Sequence, residues 1–107
     1  MVEVRWTFEA LEDLESIAEF IARDSPHYAQ FFILDVYRAT DRLVDFPESG
    51  RVVPEGKDPS LREILFGNYR IVYRLRKHLV EILTVYHAAR LLDPSDLGGP
   101  GDRDSSD

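Results

Sequence analysis

The chain has no cysteine, which excludes disulfide staples and thiolate metal sites. It has no apolar run near the ~18 residues that a membrane-spanning helix requires. The opening "MVEVRWTFEALEDLE" lacks a basic segment followed by an apolar one, so it does not read as a secretory leader. Positive charge is scarce: 13 Lys and Arg stand against 20 Asp and Glu, a net charge of −7. That balance argues against a surface that binds nucleic acid non-specifically. The histidines, His27, His78 and His87, are scattered and show no metal-ligand spacing. No metal, no cofactor and no membrane partner are expected, and a cytoplasmic location is the default.

What is present fits one domain of 107 residues, long enough to bury about two-thirds of its unfolded surface without staples. Charge is unevenly placed. Residues 1–24 carry a net −5, residues 51–90 a net +4 and residues 93–107 a net −4. The tail from Asp93 is rich in Gly, Pro, Ser and Asp with little to bury, and is expected to be disordered. The expected organisation is a folded domain over 1–92 followed by a tail over 93–107.

Periodicity supplies the elements. "VEVRWT" alternates Val2, Val4 and Trp6 against polar residues, a short strand. Thr7 can cap a helix in which Leu11, Leu14, Ile17, Ala18 and Ile21 recur on one face. Ser25-Pro26 suits the start of a second helix, carrying Ala29, Phe32, Ile33, Val36, Leu43 and Phe46 and ending at Pro47. The short junction makes the two an antiparallel hairpin. "PESGRVVPEGKDPS" at 47–60 reads as a loop, with Val52 and Val53 available to pin it. Three strands follow: Leu61–Phe66, Tyr69–Arg76 and Leu79–Ala88, with Gly67-Asn68 as a two-residue turn. The order is β-α-α-β-β-β, an α+β fold with a helical hairpin on one face of a small, mostly antiparallel sheet.

The turn fixes which side chains share a face. Ile64, Phe66, Tyr69, Ile71, Tyr73 and Leu75 belong to the helix side, and Leu61, Glu63, Leu65, Arg70, Val72 and Arg74 to the far side. A tight turn at Lys77-His78 adds Val80, Ile82, Thr84 and Tyr86 to the helix side. It puts Leu79, Glu81, Leu83, Val85 and His87 on the far side. Arg74 then pairs with Glu81. Arg70 faces Val85, near His87, with no carboxylate directly across, an environment suited to an anion or a partner protein.

"FEALEDLESIAEFIA", "FPESGR" (46–51), "LREILFGNYRIVYRLR" (61–76) and "VEILTVYHAARLL" (80–92) together resemble the ParE/RelE superfamily of toxins from bacterial type II toxin–antitoxin systems, over residues 2–92. The resemblance implies a small toxin of the plasmid-stabilisation type, neutralised by a cognate antitoxin in a toxin–antitoxin hetero-oligomer. It also implies one of two activities: RelE-like members cut mRNA on the ribosome, and ParE-like members bind DNA gyrase and stall it.

RNA cleavage without a metal needs an activated 2′-hydroxyl, a protonated leaving oxygen and a cation on the phosphate. Arg70 matches the strand arginine that contacts the scissile phosphate in RelE-like enzymes, and His87 is similar in position to a histidine that some of them carry. Arg62, Arg74 and Arg90 join Arg70 as candidate target- or antitoxin-binding residues. RelE-like enzymes are usually basic, whereas this chain is acidic, and Ala88 stands where one branch has tyrosine. "LREILFGNYRIVYR" and the His87-x-x-Arg90 pair look like ParE-like members. The resemblance therefore implies a gyrase inhibitor. The alternatives are a ribosome-dependent mRNA endonuclease using Arg70 and His87, and a non-toxic relative that only binds the antitoxin. Enzymatic activity is left open.

Overall fold

The computed structural model describes residues 2–89. Arg90 and the segment 93–107 lie outside the described residues. The elements are β1 (Glu3–Trp6), α1 (Phe8–Ala22), α2 (Pro26–Asp41), a 3-10 turn (Arg42–Val44), β2 (Arg51–Val52), β3 (Leu61–Phe66), β4 (Tyr69–Leu75) and β5 (Leu79–His87). Both helices start where the sequence places them. Thr7 accepts from the Ala10 N–H at 3.2 Å, and Ser25 accepts from the Tyr28 N–H at 3.2 Å ahead of Pro26. The Thr7 hydroxyl also donates to the Ile82 carbonyl at 2.8 Å, which ties the start of α1 to β5. The second helix stops earlier than its periodicity suggests. Asp41 ends it, the 3-10 turn keeps Leu43 buried, and Phe46 is exposed.

The sheet has the order β1-β5-β4-β3-β2, with β1 parallel to β5 and every other pair antiparallel. The expected helical hairpin lies on one face. Ala10, Leu14, Phe32, Val36 and Leu43 pack against Ile64, Ile71, Tyr73, Val80, Ile82 and Val85 as the main core. Trp6 of β1 meets Tyr37 of α2 edge to face, centroids 5.3 Å apart. Between β3 and β4, Gly67 takes a left-handed φ of +56, and among the described residues no other residue type does so. Gly at the first turn position with Asn68 at negative φ fits a primed hairpin turn of the II′ kind. The β3–β4 register follows as expected, with Ile64 opposite Ile71 and Phe66 opposite Tyr69.

The β4–β5 register is as expected from Leu75–Val80 back to Tyr73–Ile82, and then shifts. Val72 pairs with Thr84, so Leu83 is an extra residue, a β-bulge. Every face assignment beyond it is reversed. Val85 joins the helix-side core and Tyr86 joins the far side, the opposite of the expectation. Asp13 of α1 holds the bulge: its Oδ2 accepts from the Thr84 hydroxyl at 2.5 Å and from the Val85 N–H at 3.3 Å. One acid of the α1 face is thus committed to structure.

The far face carries a second, smaller core of Val53, Leu61, Val72, Leu83 and Tyr86. Val53 is buried and Val52 is not, so a single valine pins the 47–60 loop. The front of that loop is held by Tyr73, whose hydroxyl donates to the Pro47 carbonyl at 2.7 Å and accepts from the Gly50 N–H at 3.0 Å. Burial pushes the Tyr73 phenol above its ordinary pKa, against the opposing Gly50 hydrogen bond. No helix among the described residues is long and apolar enough to cross a membrane.

Candidate functional site: an arginine face closed by a loop

On the far face of the sheet, Arg51, Arg70 and Arg74 meet Glu55, Asp58 and Glu63. Arg70 is buried and is fully engaged. Its two terminal nitrogens donate to the two oxygens of Glu55 at 2.5 and 2.6 Å, and its Nε donates to Glu63 Oε1 at 2.6 Å. No carboxylate stands directly across from Arg70, whose ladder partners are Leu65 and Tyr86 rather than the expected Val85, yet it is paired diagonally and from the loop. Glu63 lies one pair along from Arg70 on the same face, a diagonal neighbour, and Glu55 arrives from the loop. The Glu55 hydrogen bonds and the Glu63 charge hold the guanidinium far above its already high pKa, against the opposing effect of burial. Glu63, with no exposed side-chain surface, also accepts from Arg51 Nε at 2.6 Å. The Arg70 guanidinium sits 5.1 Å from the Tyr86 ring centroid.

Arg74 stands directly across from Glu81 in the ladder, yet its ion pair is elsewhere. Its Nη1 donates to Asp58 Oδ2 at 2.7 Å, and Glu81 is taken by Arg76 at 2.7 Å. Ser60 braces Asp58 with its N–H at 3.0 Å and its hydroxyl at 2.7 Å. Burial raises the Asp58 carboxyl, but the hydrogen bonds from Ser60 and Arg74 outweigh it and leave the pKa below its ordinary value. The Nε and Nη2 of Arg74 are buried with no hydrogen-bond partner among the described residues. Arg62 points elsewhere. Its Nη1 donates to the Glu48 and Gly50 carbonyls at 3.2 and 3.0 Å, bracing the loop.

His87 does not join Arg70. The bulge pairs His87 with Tyr69 and Arg70 with Tyr86, so the histidine and the arginine lie on opposite faces. The exposed His87 ring meets Tyr69 edge on at 5.6 Å, and its Nδ1 accepts from the Ala89 N–H at 3.2 Å. It lines a crevice of about 340 Å³ beside Asp13, Ile17 and Phe20. The sequence-derived set is thereby split: Arg70 and Arg74 share the closed far face, Arg62 braces a loop and His87 sits across the sheet. No group of three His, Asp or Glu side chains among the described residues is placed to hold a metal ion. Arg70 is thus saturated by two carboxylates, and His87 lies on the opposite face from it.

An open concavity lies on the helices. A groove of about 550 Å³ runs between α1 and α2, floored by Leu14, Ala18, Ala29 and Ile33, with Leu11 and Tyr37 also lining it. Glu15 and Glu19 are its acidic lining residues. Small side chains where the helices meet leave the groove open, and Leu11 is 41% exposed although it sits on the apolar stripe.

Residues 4–92 match a family model described as the ParE toxin of the type II toxin–antitoxin system parDE. The chain is 39% identical over 92 residues to a protein named Toxin RelE2 from Caulobacter vibrioides, covering 85% of this chain and all of the relative. It is 39% identical over 87 residues to Putative toxin Y4kP from Sinorhizobium fredii, covering 79% of this chain and 86% of the relative. Among solved structures, one titled as the chromosomal ParDE toxin–antitoxin system from P. aeruginosa superposes with a TM-score of 0.68 at 20% identity. It covers 81% of this chain and 96% of its own.

Proposed function

Because the chain belongs to the ParE toxin family of type II toxin–antitoxin systems, we propose that it acts in the cytoplasm by binding DNA gyrase and stalling it, and that a cognate antitoxin neutralises it. The observation that carries this reading is the separation of Arg70 from His87. Arg70 is consumed by Glu55 and Glu63, and His87 lies on the other face of the sheet. A protein that works by binding does not need an acid–base set, whereas an RNA-cutting enzyme does. The loop carrying Glu55 and Asp58 covers the far face. The helix groove is the apolar surface we assign to the antitoxin.

The test is controlled expression in bacteria with two readouts. Induction of the DNA-damage response, with gyrase trapped on DNA, supports the proposal. Rapid arrest of translation with cuts at codon positions in mRNA overturns it in favour of ribosome-dependent cleavage, the other activity found in the wider superfamily. Normal growth with folded protein present assigns the chain to antitoxin binding alone.

A further inference from the structure

The outer side of α2 carries an exposed apolar ridge. Tyr28 and Phe31 are each 60% exposed and Leu34 is 50% exposed, and helical spacing sets the three on one side. The helix turns Phe32, Val36 and Thr40 inward and lines the α1–α2 groove with Pro26, Ile33 and Tyr37. The ridge points away from both. Three large apolar side chains in a row are more than the scattered single residues of an ordinary surface. They offer roughly 350 Å² of apolar surface per copy, taking a large side chain at about 200 Å².

Charge along the ridge is arranged symmetrically. Asp24 stands just ahead of the helix and Arg38 near its end, both exposed, with Phe31 midway between them. Asp35 flanks the ridge, 3.3 Å from Arg38. A second α2 laid antiparallel, about a two-fold axis at Phe31, brings each Arg38 over the partner's Asp24. It packs Phe31 on the partner's Phe31 and Leu34 beside the partner's His27, and it sets the Tyr28 hydroxyl to donate to the partner's Asp35. A parallel copy would instead oppose like charges at both ends. The ridge is thus complementary to itself, as a two-fold contact requires.

We propose that α2 pairs with α2 of a second copy of this chain through Tyr28, Phe31 and Leu34, closed at each end by Arg38 and the partner's Asp24. The apolar surface of the two copies comes to roughly 700 Å². A standard interface buries about 1,200–2,000 Å² in total, so the charged rim is needed to reach the low end and the dimer is weak. The α1–α2 groove faces another way and stays open in each copy, so pairing and antitoxin binding are compatible. The pairing is independent of whether gyrase is the target.

Sedimentation velocity of the full chain tests it. The unaltered chain is expected to be mainly dimeric at about 100 μM and mainly monomeric at about 1 μM, a Kd on the order of 10 μM. Phe31→Glu should be monomeric at both concentrations with an unchanged urea midpoint, because the site is exposed. Arg38→Asp should weaken the dimer about tenfold by turning two ion pairs into repulsions, and adding Asp24→Arg should restore it. The chain has no cysteine, so Phe31→Cys should form a disulfide across the two-fold axis under mild oxidation. Glu12→Cys, on the exposed side of α1, should not. A folded, unaltered chain that stays monomeric at about 100 μM overturns the proposal. So does a dimer that survives Phe31→Glu, or one that Arg38→Asp weakens and Asp24→Arg fails to rescue.

Discussion

Both terminal nitrogens of Arg70 lie on the two oxygens of Glu55, at 2.5 and 2.6 Å, in a position with little access to water. This bidentate pair changes what substitution at Arg70 can report. Arg70→Ala would leave Glu55 and the buried Glu63 without their shared cation. Breaking a buried pair by removing one partner costs about 3–5 kcal/mol. We expect Arg70→Ala to unfold at markedly lower urea than the unaltered chain. Loss of toxicity in that variant would then report the fold. An unchanged urea midpoint would contradict the pairing.

Glu63 is the more central of the two acids. It has no exposed side-chain surface and accepts from both Arg51 and Arg70. Glu63→Ala should destabilise by roughly 3–5 kcal/mol, read from denaturant unfolding. Arg70 is held charged far above its ordinary range, so raising the pH to 9 should not soften the defect.

Tyr73 and Gly50 form a second local test. An alanine Cβ at Gly50 would stand 2.6 Å from the Glu63 carbonyl oxygen and from the Tyr73 hydroxyl. Gly50→Ala should therefore cost about 1–3 kcal/mol through overpacking. Tyr73→Phe removes the hydroxyl from that contact, leaving the ring Cε1 at 2.8 Å and the Glu63 carbonyl, but strands the Gly50 N–H and the Pro47 carbonyl, a cost of about 1–3 kcal/mol by itself. The two changes share one contact, so the double variant should be less destabilised than the sum of the singles. Strict additivity in thermal unfolding would contradict the shared contact.

The acid limb of the stability curve tests Asp58. Its folded pKa is depressed below its ordinary value, so its contribution is present above the unfolded pKa and is lost as pH falls through the folded one. Asp58→Asn should be less stable than the unaltered chain at pH 6, and the two melting curves should converge as the pH drops below about 4. A gap that stays constant down to pH 2 would show that Asp58 carries no linked proton.

These residues also mark where the sequence was legible. Helix starts at Thr7 and Ser25 and the Gly67-Asn68 turn are local chemistry, and a few adjacent residues specify them. The bulge at Leu83 is not local. "LTVY" alternates acceptably in either register, and what fixes the shift is Asp13, 70 or more residues away in sequence, accepting from Thr84 and Val85. One misplaced residue carried His87 and Val85 to the wrong face. Arg70's place on the far face was readable, and Glu63 was readable as its diagonal neighbour. Glu55 and Asp58 were not, because a loop's path over a sheet depends on which of its apolar residues, here Val53, finds a hole. The parallel pairing of β1 with β5 likewise has no adjacent-residue signature.

His87 separates the two activities without disturbing the core. It is exposed, and its neighbours are the Tyr69 ring edge and the Ala89 N–H. His87→Ala should leave folding within about 0.5 kcal/mol of the unaltered chain and growth inhibition intact. A full loss of toxicity at unchanged stability would return the histidine to a catalytic role.

The most direct measurement sets the purified chain against purified gyrase and against translating ribosomes in parallel. Supercoiling of relaxed plasmid should stop, with gyrase-linked DNA breaks accumulating, while mRNA on the ribosomes stays whole. Intact supercoiling beside codon-position cuts in the mRNA would contradict the account.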